Sequence, residues 1–225
     1  MKRLSARLAA VASMVPEHCY LADVGSDHAQ LPIHLISAGK IAYAMAIDNK
    51  MGPFLRMKQN VEAAGYKNQI HCSLSNGINE LRSDIDAIAI CGVGGLLTCE
   101  MLEQHPDKLV NVKHIIVDPH RDLRAVRERV TALGYGIADE GMVYEDKVYY
   151  SIIHFSKDAA PGPYSETDLC LGPILRKKRD PIFLEFLQLQ KKKISDLLNN
   201  NLSPQARENY LQAYRMVANE LKKDA

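Results

Sequence analysis

The stretch LADVGSDHAQLPI (residues 21–33) sets an apolar run, a glycine and three polar residues directly before a helix-like segment. The run LADV is typical of a buried strand, and glycine lets the backbone turn sharply or approach a ligand closely. In an open parallel sheet, ligands bind at the carboxyl ends of the strands, where Ser26, Asp27 and His28 would lie. Capping of the next helix by Ser26 or Asp27 is the structural alternative, but it accounts for one polar residue and not for three.

Length and composition indicate a globular protein. The chain has 225 residues, 47% of them hydrophobic and 24% charged, which suffices for one large domain or one domain with an appendage. Every apolar run is shorter than the roughly 18 to 20 residues of a membrane span, and Arg3 and Arg7 interrupt the apolar face of an amphipathic first helix. We expect a cytoplasmic protein that does not contact a membrane and is a monomer or a weak homodimer.

The distribution of cysteines and of charged residues further narrows the class of protein. Five cysteines are scattered without a CxxC pair, which predicts neither a disulfide framework nor a bound metal. The net charge is only +1, but basic residues outnumber acidic ones from Arg176 onward. This asymmetry suggests a basic carboxyl-terminal region.

Seven β-rich runs alternate with helix-like segments along the first two thirds of the chain. The runs lie at 19–24, 42–48, 69–74, 86–92, 114–118, 135–146 and 147–155, and the candidate helices at 29–39, 52–64, 95–104 and 121–133. Alternation of this kind predicts an α/β fold with a mostly parallel sheet. The last two runs have no helix between them and should form an antiparallel hairpin at the sheet edge, which is the plan of the class I, Rossmann-like methyltransferase sheet.

A Pro- and Gly-containing stretch, 157–173, separates this unit from an all-helical end. Two helical patterns, Phe183 to Leu198 and Tyr210 to Leu221, are interrupted by NNNLSP and predict an α-helical hairpin. The predicted domains are therefore residues 1–158 and a helical, coiled-coil-like domain at 159–225.

Further candidate binding residues follow the second, third and fourth strands. Asp48 stands where a carboxylate commonly accepts the two ribose hydroxyls of an adenosine-containing cofactor, and Asn76 could read an adenine edge. Plainer explanations are a solvated strand-end acid, an Asn-Gly turn and a tight glycine corner. The predicted cofactor-binding residues are Asp23, Gly25, Ser26, Asp48, Asn49, Asn76, Gly77, Cys91, Gly92, Gly94 and Gly95.

The turn after the first strand also discriminates between cofactors. GSDHAQ is not the GxGxxG pattern that cradles a pyrophosphate, which disfavours an NAD oxidoreductase. S-adenosyl-L-methionine has no phosphates and needs no such cradle. The pattern therefore favours methyl transfer over hydride transfer.

Several short motifs, taken in order, resemble the bacterial tRNA (adenine-22-N1)-methyltransferase family over nearly the whole chain. They are ADVGSDHAQLPI, MGPF, NVEAAGY, NGI, CGVGG, LRAVRERV and the hairpin from Glu145 to Tyr150. The resemblance implies S-adenosyl-L-methionine as cofactor, tRNA as partner, methylation of adenine N1, and a carboxyl-terminal domain that helps to grip tRNA. It also puts Asp27 and His28 at the active-site edge.

Methylation of adenine N1 calls for an acid near the exocyclic amine, because the base gains a positive charge. Asp27 is the first candidate and Asp118 the second, although Asp118 could instead cap the following helix. The catalytic candidates are Asp27, His28, Asp118 and His120. The predicted RNA-binding residues are Arg3, Arg7, Arg121, Arg124, Arg127, Arg176, Lys177, Lys178 and Arg179, with a merely solvated face as the alternative for such charge runs.

Two other functions stay open at this point. The sequence Asp118-Pro119-His120 replaces the family's usual Gln-Pro-Asn, which allows a relative that methylates another RNA or a small molecule. A catalytically silent, RNA-binding relative is the other possibility.

Overall fold

The computed structural model describes residues 4–224, with the side chains of Asp27 and Asp224 not described. Arg3, one of the predicted RNA-binding residues, lies outside this range. Seven strands form one sheet: β1 (Tyr20–Val24), β2 (Tyr43–Asp48), β3 (Ile70–Leu74), β4 (Ala87–Cys91), β5 (His114–Asp118), β6 (Gly136–Glu145) and β7 (Val148–Ser156).

The strand order is β3-β2-β1-β4-β5-β7-β6. The first five strands in this order run parallel, and β7 pairs antiparallel with both β5 and β6. Parallel strands that are covered on both faces consist almost entirely of apolar residues, as in the Ala-Ile-Ala-Ile of β4. The predicted Rossmann-like sheet with an antiparallel edge hairpin is confirmed.

Five helices cover the two faces of the sheet. On one face lie α1 (Ala6–Met14), α2 (Gln30–Ser37) and α3 (Met51–Ala63), and on the other lie α4 (Gly95–Glu103) and α5 (Leu123–Ala132). Successive strand residues point to opposite faces, so Leu21 packs with the first group and Ala22 with the second. The core therefore consists of two apolar layers that hold the strand ends rigidly in place.

The second helix starts differently from the prediction of 29–39. His28 and Ala29 have positive φ angles of 70° and 52°, which an α-helix cannot contain. Residues Asp27–Ala29 form a separate 3₁₀ turn, and α2 begins only at Gln30. The polar segment after β1 is thus a distinct turn and not the first turn of a helix.

The carboxyl-terminal part consists of α6 (Glu166–Leu171), α7 (Pro173–Lys178), α8 (Pro181–Leu198) and α9 (Pro204–Leu221). The predicted hairpin corresponds to α8 and α9, but α6 and α7 were missed. Ser165 and Asp168 form a capping box at the start of α6. Phe183 and Leu187 pack with Met142 of β6, so the hairpin is anchored on the sheet edge.

The described residues contain neither a membrane-spanning helix nor a metal-binding cluster. No helix within residues 4–224 is both long and apolar enough to cross a membrane. Within the same range, no three His, Cys, Asp or Glu side chains form a group that could hold a metal ion.

Candidate active site

A cavity of about 310 Å³ opens at the carboxyl ends of β1 and β4. The chain leaves β1 toward β2 on one side, whereas β4 lies on the other, so this is the topological switch point where ligands of open α/β sheets bind. Its lining comes from α1, β1, the turn after β1, α2 and β4. The lining residues are Arg7, Leu8, Asp23, Gly25, Ser26, His28, Gln30, Leu31, Cys91 and Gly92.

The turn after β1 forms the floor of the cavity. Gly25 has a φ of 76°, and the amides of Gly25 and Ser26 donate to the Ile47 carbonyl at 2.8 and 2.9 Å. The Ser26 hydroxyl donates to the buried Asp23 carboxylate, so the alternative that Ser26 caps a helix is wrong. Burial raises the pKa of Asp23 to about 6, against the lowering effect of the Ser26 hydrogen bond.

Asn60 of α3 holds His28 in place. The side-chain amide of Asn60 donates to the His28 carbonyl at 3.0 Å and lies 3.4 Å from the His28 Nδ1 atom. Sequence reasoning missed Asn60. The available signal is that Asn60 is a polar residue beside Met57 and Val61, the two buried positions of α3.

The ends of β2 and β3 lie side by side outside this cavity lining. The Asp48 carboxylate accepts from the Lys50 amide at 2.8 Å, and the Asn49 side chain donates to the Asn76 side chain at 3.4 Å. Gly77 follows with a φ of 56°. The structure therefore brings Asp48, Asn49 and Asn76 together at the same edge of the sheet.

The glycines after β4 fall into two groups. Gly92 has a φ of 71°, which favours glycine, and a Cβ atom there would only touch Arg7 Nη1 at 3.4 Å and His120 Nε2 at 3.6 Å. A Cβ atom on Gly95 would lie 2.4 Å from the Arg121 carbonyl oxygen, and one on Gly94 would lie 3.7 Å from Arg121 Nε. Gly95 is thus required for packing of α4 against the start of α5, and its contact with a cofactor stays a prediction.

A charged and aromatic cluster borders the cavity at the end of β5. Arg7 Nη1 donates to Asp118 Oδ2 at 2.6 Å, and the Arg7 guanidinium lies 5.3 Å from the Tyr150 ring centroid. His120 meets the same ring edge-on at 5.8 Å. The carboxylate of Glu145 accepts from the Ala6 amide at 2.6 Å and so fixes the start of α1. Arg7 therefore belongs to this cluster and not to an open RNA-binding face.

Asp118 is completely buried, and its Oδ1 atom has no hydrogen-bond partner within residues 4–224. Burial raises the pKa of its carboxyl group, while the Arg7 guanidinium acts in the opposite direction. The ion pair with Arg7 shows that Asp118 does not cap α5, so that alternative is wrong. An unsatisfied buried oxygen is costly unless a ligand or water provides a donor.

Cys91 pairs in register with Asp118 and lines the cavity. Burial raises the pKa of its thiol well above the usual range, and the Asp23 and Asp118 carboxylates add to this shift. The thiol is therefore protonated at neutral pH, which makes it a weak nucleophile.

Arg127 is not available to RNA. Its side chain is 1% exposed and donates to Glu140 Oε1 at 2.8 Å and to the Leu169 carbonyl at 2.8 Å. The second oxygen of Glu140 accepts from the Ile174 amide at 2.9 Å. The pair links α5, β6 and the start of α7, so the prediction of an RNA contact by Arg127 is wrong.

The basic run at 176–179 is largely committed to the helical hairpin as well. Arg176 pairs with Asp168 and with Glu220 at 2.8 Å, and Arg179 pairs with Glu220 at 3.0 Å. Both arginine side chains are only 18% exposed, which corrects their expected role as open phosphate contacts. Lys177 and Lys178 are exposed, and Lys178 lies 2.5 Å from the Asp139 carboxylate.

Arg121, just before α5, and Arg124, in the first turn of α5, are exposed to different degrees. Arg124 is bound by Glu128 and Glu166 at 2.8 and 2.7 Å. Arg121 is 81% exposed, lies 3.6 Å from the Asp122 carboxylate and directly follows His120 at the cavity edge. Arg121 is therefore the better placed of the two for an external phosphate.

The fold and this site define a methyltransferase. Residues 4–153 match the family model described as a methyltransferase domain. The tRNA (adenine(22)-N(1))-methyltransferase of Bacillus subtilis (strain 168) is 33% identical over 188 residues, which are 81% of this chain and 79% of that protein. The chain belongs to the tRNA (adenine(22)-N(1))-methyltransferase family.

Two solved structures extend the similarity to the whole fold. Streptococcus pneumoniae Sp1610 in complex with S-adenosyl-L-methionine has a TM-score of 0.90 and 32% identity, covering 97% of this chain and 100% of that chain. M. capricolum TrmK in complex with S-adenosyl-homocysteine has a TM-score of 0.88 and 25% identity, covering 98% and 99%. The likeness therefore includes the carboxyl-terminal helices.

Proposed function

We propose that this chain transfers the methyl group of S-adenosyl-L-methionine to N1 of an adenine in tRNA. The observation that carries the proposal is a cavity at the switch point of a methyltransferase fold, bordered by buried carboxylates in a chain of this family. Adenine 22 is the target that the name of the Bacillus subtilis relative suggests. A tRNA substrate also agrees with the cytoplasmic location expected from the sequence.

The residues around the cavity fit the cofactor by their chemistry. The buried Asp23 carboxylate suits the ammonium group of the methionine part, and Gly25 and Gly92 leave the backbone uncovered. Asp48 suits the ribose hydroxyls, and Asn76 suits the adenine edge. When bound, S-adenosyl-L-methionine supplies a methyl group activated by its positively charged sulfur.

The protein's own part in the reaction is to orient the target base and to stabilise its new positive charge. Asp118 is buried beside the cavity, paired with Arg7 and in register with Cys91, so its negative charge can stabilise the methylated base without direct contact. Tyr150 and His120 offer ring surfaces against which an extruded base can pack. Asp27 lies between Ser26 and His28, two residues that line the cavity, and supplies a second negative charge.

The test is incorporation of labelled methyl from S-adenosyl-L-methionine into unmodified bulk tRNA, followed by nucleoside analysis. We expect the label in 1-methyladenine. Label in another nucleoside, or binding of the cofactor without any transfer to tRNA, would refute the proposed substrate.

Cofactor affinity should depend on pH through Asp23. With a pKa of about 6, this carboxyl is neutral at pH 5 and charged at pH 7.5, and only the charged form attracts an ammonium group. We expect binding of S-adenosyl-L-methionine to be about tenfold weaker at pH 5 than at pH 7.5, measured by calorimetry. Asp23→Asn should bind weakly at both pH values, and a wild-type affinity that is equal at both would contradict this role.

Arg7→Met should lower the methyl-transfer rate mainly on the acid side of the pH profile. Loss of the guanidinium leaves Asp118 buried without its ion-pair partner, so the pKa of Asp118 rises further and the carboxylate is lost at a higher pH. A charge-assisted hydrogen bond is worth about 1.5–3 kcal/mol, so we expect the acid limb of the pH profile to move upward by about one to two pH units.

The matched control for Arg7 is Arg82→Met. Arg82 pairs with Asp84 at 2.6 Å, but it lies near Tyr43, at the amino-terminal end of β2, whereas the cavity lies at the carboxyl ends of the strands. Its removal should leave the pH profile of methyl transfer in place. A uniform rate loss in Arg7→Met, with an unshifted acid limb, would indicate that Arg7 has only a structural role.

A further inference from the structure

A second groove lies beside the tip of the β6–β7 hairpin, on the opposite face from Tyr150. Tyr149 and Tyr150 are successive residues of a strand, so Tyr150 faces the active-site cluster while Tyr149 faces α8. The groove has a volume of about 420 Å³ and lies between the hairpin and α8. Its lining includes Tyr144, Lys147, Tyr149, Glu185, Gln188 and Lys192.

Three aromatic rings form a continuous row in this groove. Tyr144 and Tyr149 are cross-strand partners with ring centroids 4.6 Å apart, and Tyr149 lies 5.5 Å from Phe186 of α8. The Tyr149 hydroxyl donates to Glu185 at 2.9 Å, which fixes the middle ring. Tyr144 ends the row and is 49% exposed. A large ring surface is therefore held in position with one side open to solvent.

The charge of the groove favours an anionic ligand. Its lining contains two positively charged side chains, Lys147 and Lys192, and one negatively charged side chain, Glu185. The Glu185 carboxylate already accepts a hydrogen bond from the Tyr149 hydroxyl. Lys147 is held at the hairpin tip by a two-residue turn in which Asp146 and Lys147 have φ angles of 50° and 65°. Aromatic rings interleaved with lysines are typical of surfaces that bind unpaired nucleotides.

We propose that this groove binds the RNA strand next to the target adenine, with one base stacked on Tyr144. This inference rests on the proposed function, because only a nucleic-acid substrate brings unstacked bases to the hairpin tip. The groove and the Tyr150 cluster lie on opposite faces of the hairpin, close to its tip. A strand that crosses the tip can therefore deliver one base to the cavity while a neighbouring base stacks on Tyr144.

The chain contains no tryptophan, so one substitution creates a specific fluorescent reporter. Tyr144→Trp keeps a flat ring at the end of the aromatic row. We expect unmodified tRNA to quench its fluorescence, because a base stacks on the indole. The matched control is Tyr20→Trp, since Tyr20 is 41% exposed but lies at the amino-terminal end of β1, whereas the hairpin tip lies at the carboxyl ends of the parallel strands. Its fluorescence should change little.

Tyr144→Ala tests the contribution of the ring to binding. We expect the Kd and KM for tRNA to rise about tenfold with little change in the affinity for S-adenosyl-L-methionine. Tyr144→Phe should recover most of the tRNA affinity, because it restores the ring without the hydroxyl. A general loss of folding would affect both ligands alike and would not be rescued in this way.

The outcomes separate this inference from the proposed function. If the wild type methylates tRNA and Tyr144→Ala binds tRNA as tightly as the wild type, the stacking site is refuted while the function stands. Equal quenching of both tryptophan reporters would also refute it. A wild type that binds the cofactor but neither binds nor methylates tRNA would refute both, and would indicate that the groove receives a partner other than RNA.

Discussion

Asp27→Asn is expected to slow methyl transfer by about 10²- to 10⁴-fold, which is the range typical of the loss of a catalytic acid or base. The affinity for S-adenosyl-L-methionine should change little. The backbone of Asp27 lies in the 3₁₀ turn after β1, between two residues that line the cavity. Asparagine preserves the size of the side chain and removes its charge. The loss should therefore fall on the step in which adenine becomes positively charged, because a nearby carboxylate stabilises that charge.

The measurement is the single-turnover rate at saturating tRNA and S-adenosyl-L-methionine, with cofactor affinity measured separately by calorimetry. Asp107→Asn is the matched control, since Asp107 is an exposed acid in a 3₁₀ turn after α4. An Asp27→Asn enzyme that turns over at the wild-type rate would assign the charge role to Asp118 alone.

Arg127→Met is expected to lower the free energy of unfolding by about 3–5 kcal/mol, because it leaves the buried Glu140 carboxylate without its partner. This pair joins α5, β6 and α7, so the attachment of the carboxyl-terminal helices to the sheet should weaken with it. The measurement is urea unfolding followed by circular dichroism.

The double variant Arg127→Met, Glu140→Met is the internal control. It removes both charges together, so it should be clearly more stable than Arg127→Met alone. An Arg127→Met protein with wild-type stability and weakened tRNA binding would contradict the structure and restore the sequence-based interpretation of Arg127 as an RNA contact.

Much of the fold could be predicted because local signals agree with the tertiary structure. The apolar runs match the buried strands, and a glycine or proline follows each of the four predicted helices. Helices α6 and α7 were missed although signals exist. Ser165 and Asp168 have the spacing of a capping box, and Pro173 begins α7. The surrounding prolines and glycines made the stretch resemble a linker.

The strand-end residues of the site were predictable because parallel strands bring their carboxyl ends to one edge of a sheet. Asp23, Ser26, Cys91 and Gly92 all line one cavity for this reason. The role of Arg7 was not predictable, because its partner Asp118 lies 111 residues away in the sequence.

Burial of charged residues was the other feature that the sequence did not reveal. Arg127 belongs to a helix with several basic residues, which suggested a solvated or RNA-facing surface. Only the tertiary structure brings Glu140 of β6 opposite it. The same holds for Arg176 and Arg179, whose common partner Glu220 lies on α9.

Methylation of adenine 22 can be tested directly by primer extension on two unmodified tRNA transcripts that differ only in adenine or guanine at position 22. A methyl group on adenine N1 blocks base pairing and stops reverse transcription. After incubation with the enzyme and S-adenosyl-L-methionine, we predict a stop immediately before position 22 in the adenine transcript and none in the guanine transcript. Equal stops in both transcripts, or none in either despite cofactor binding, would contradict the account.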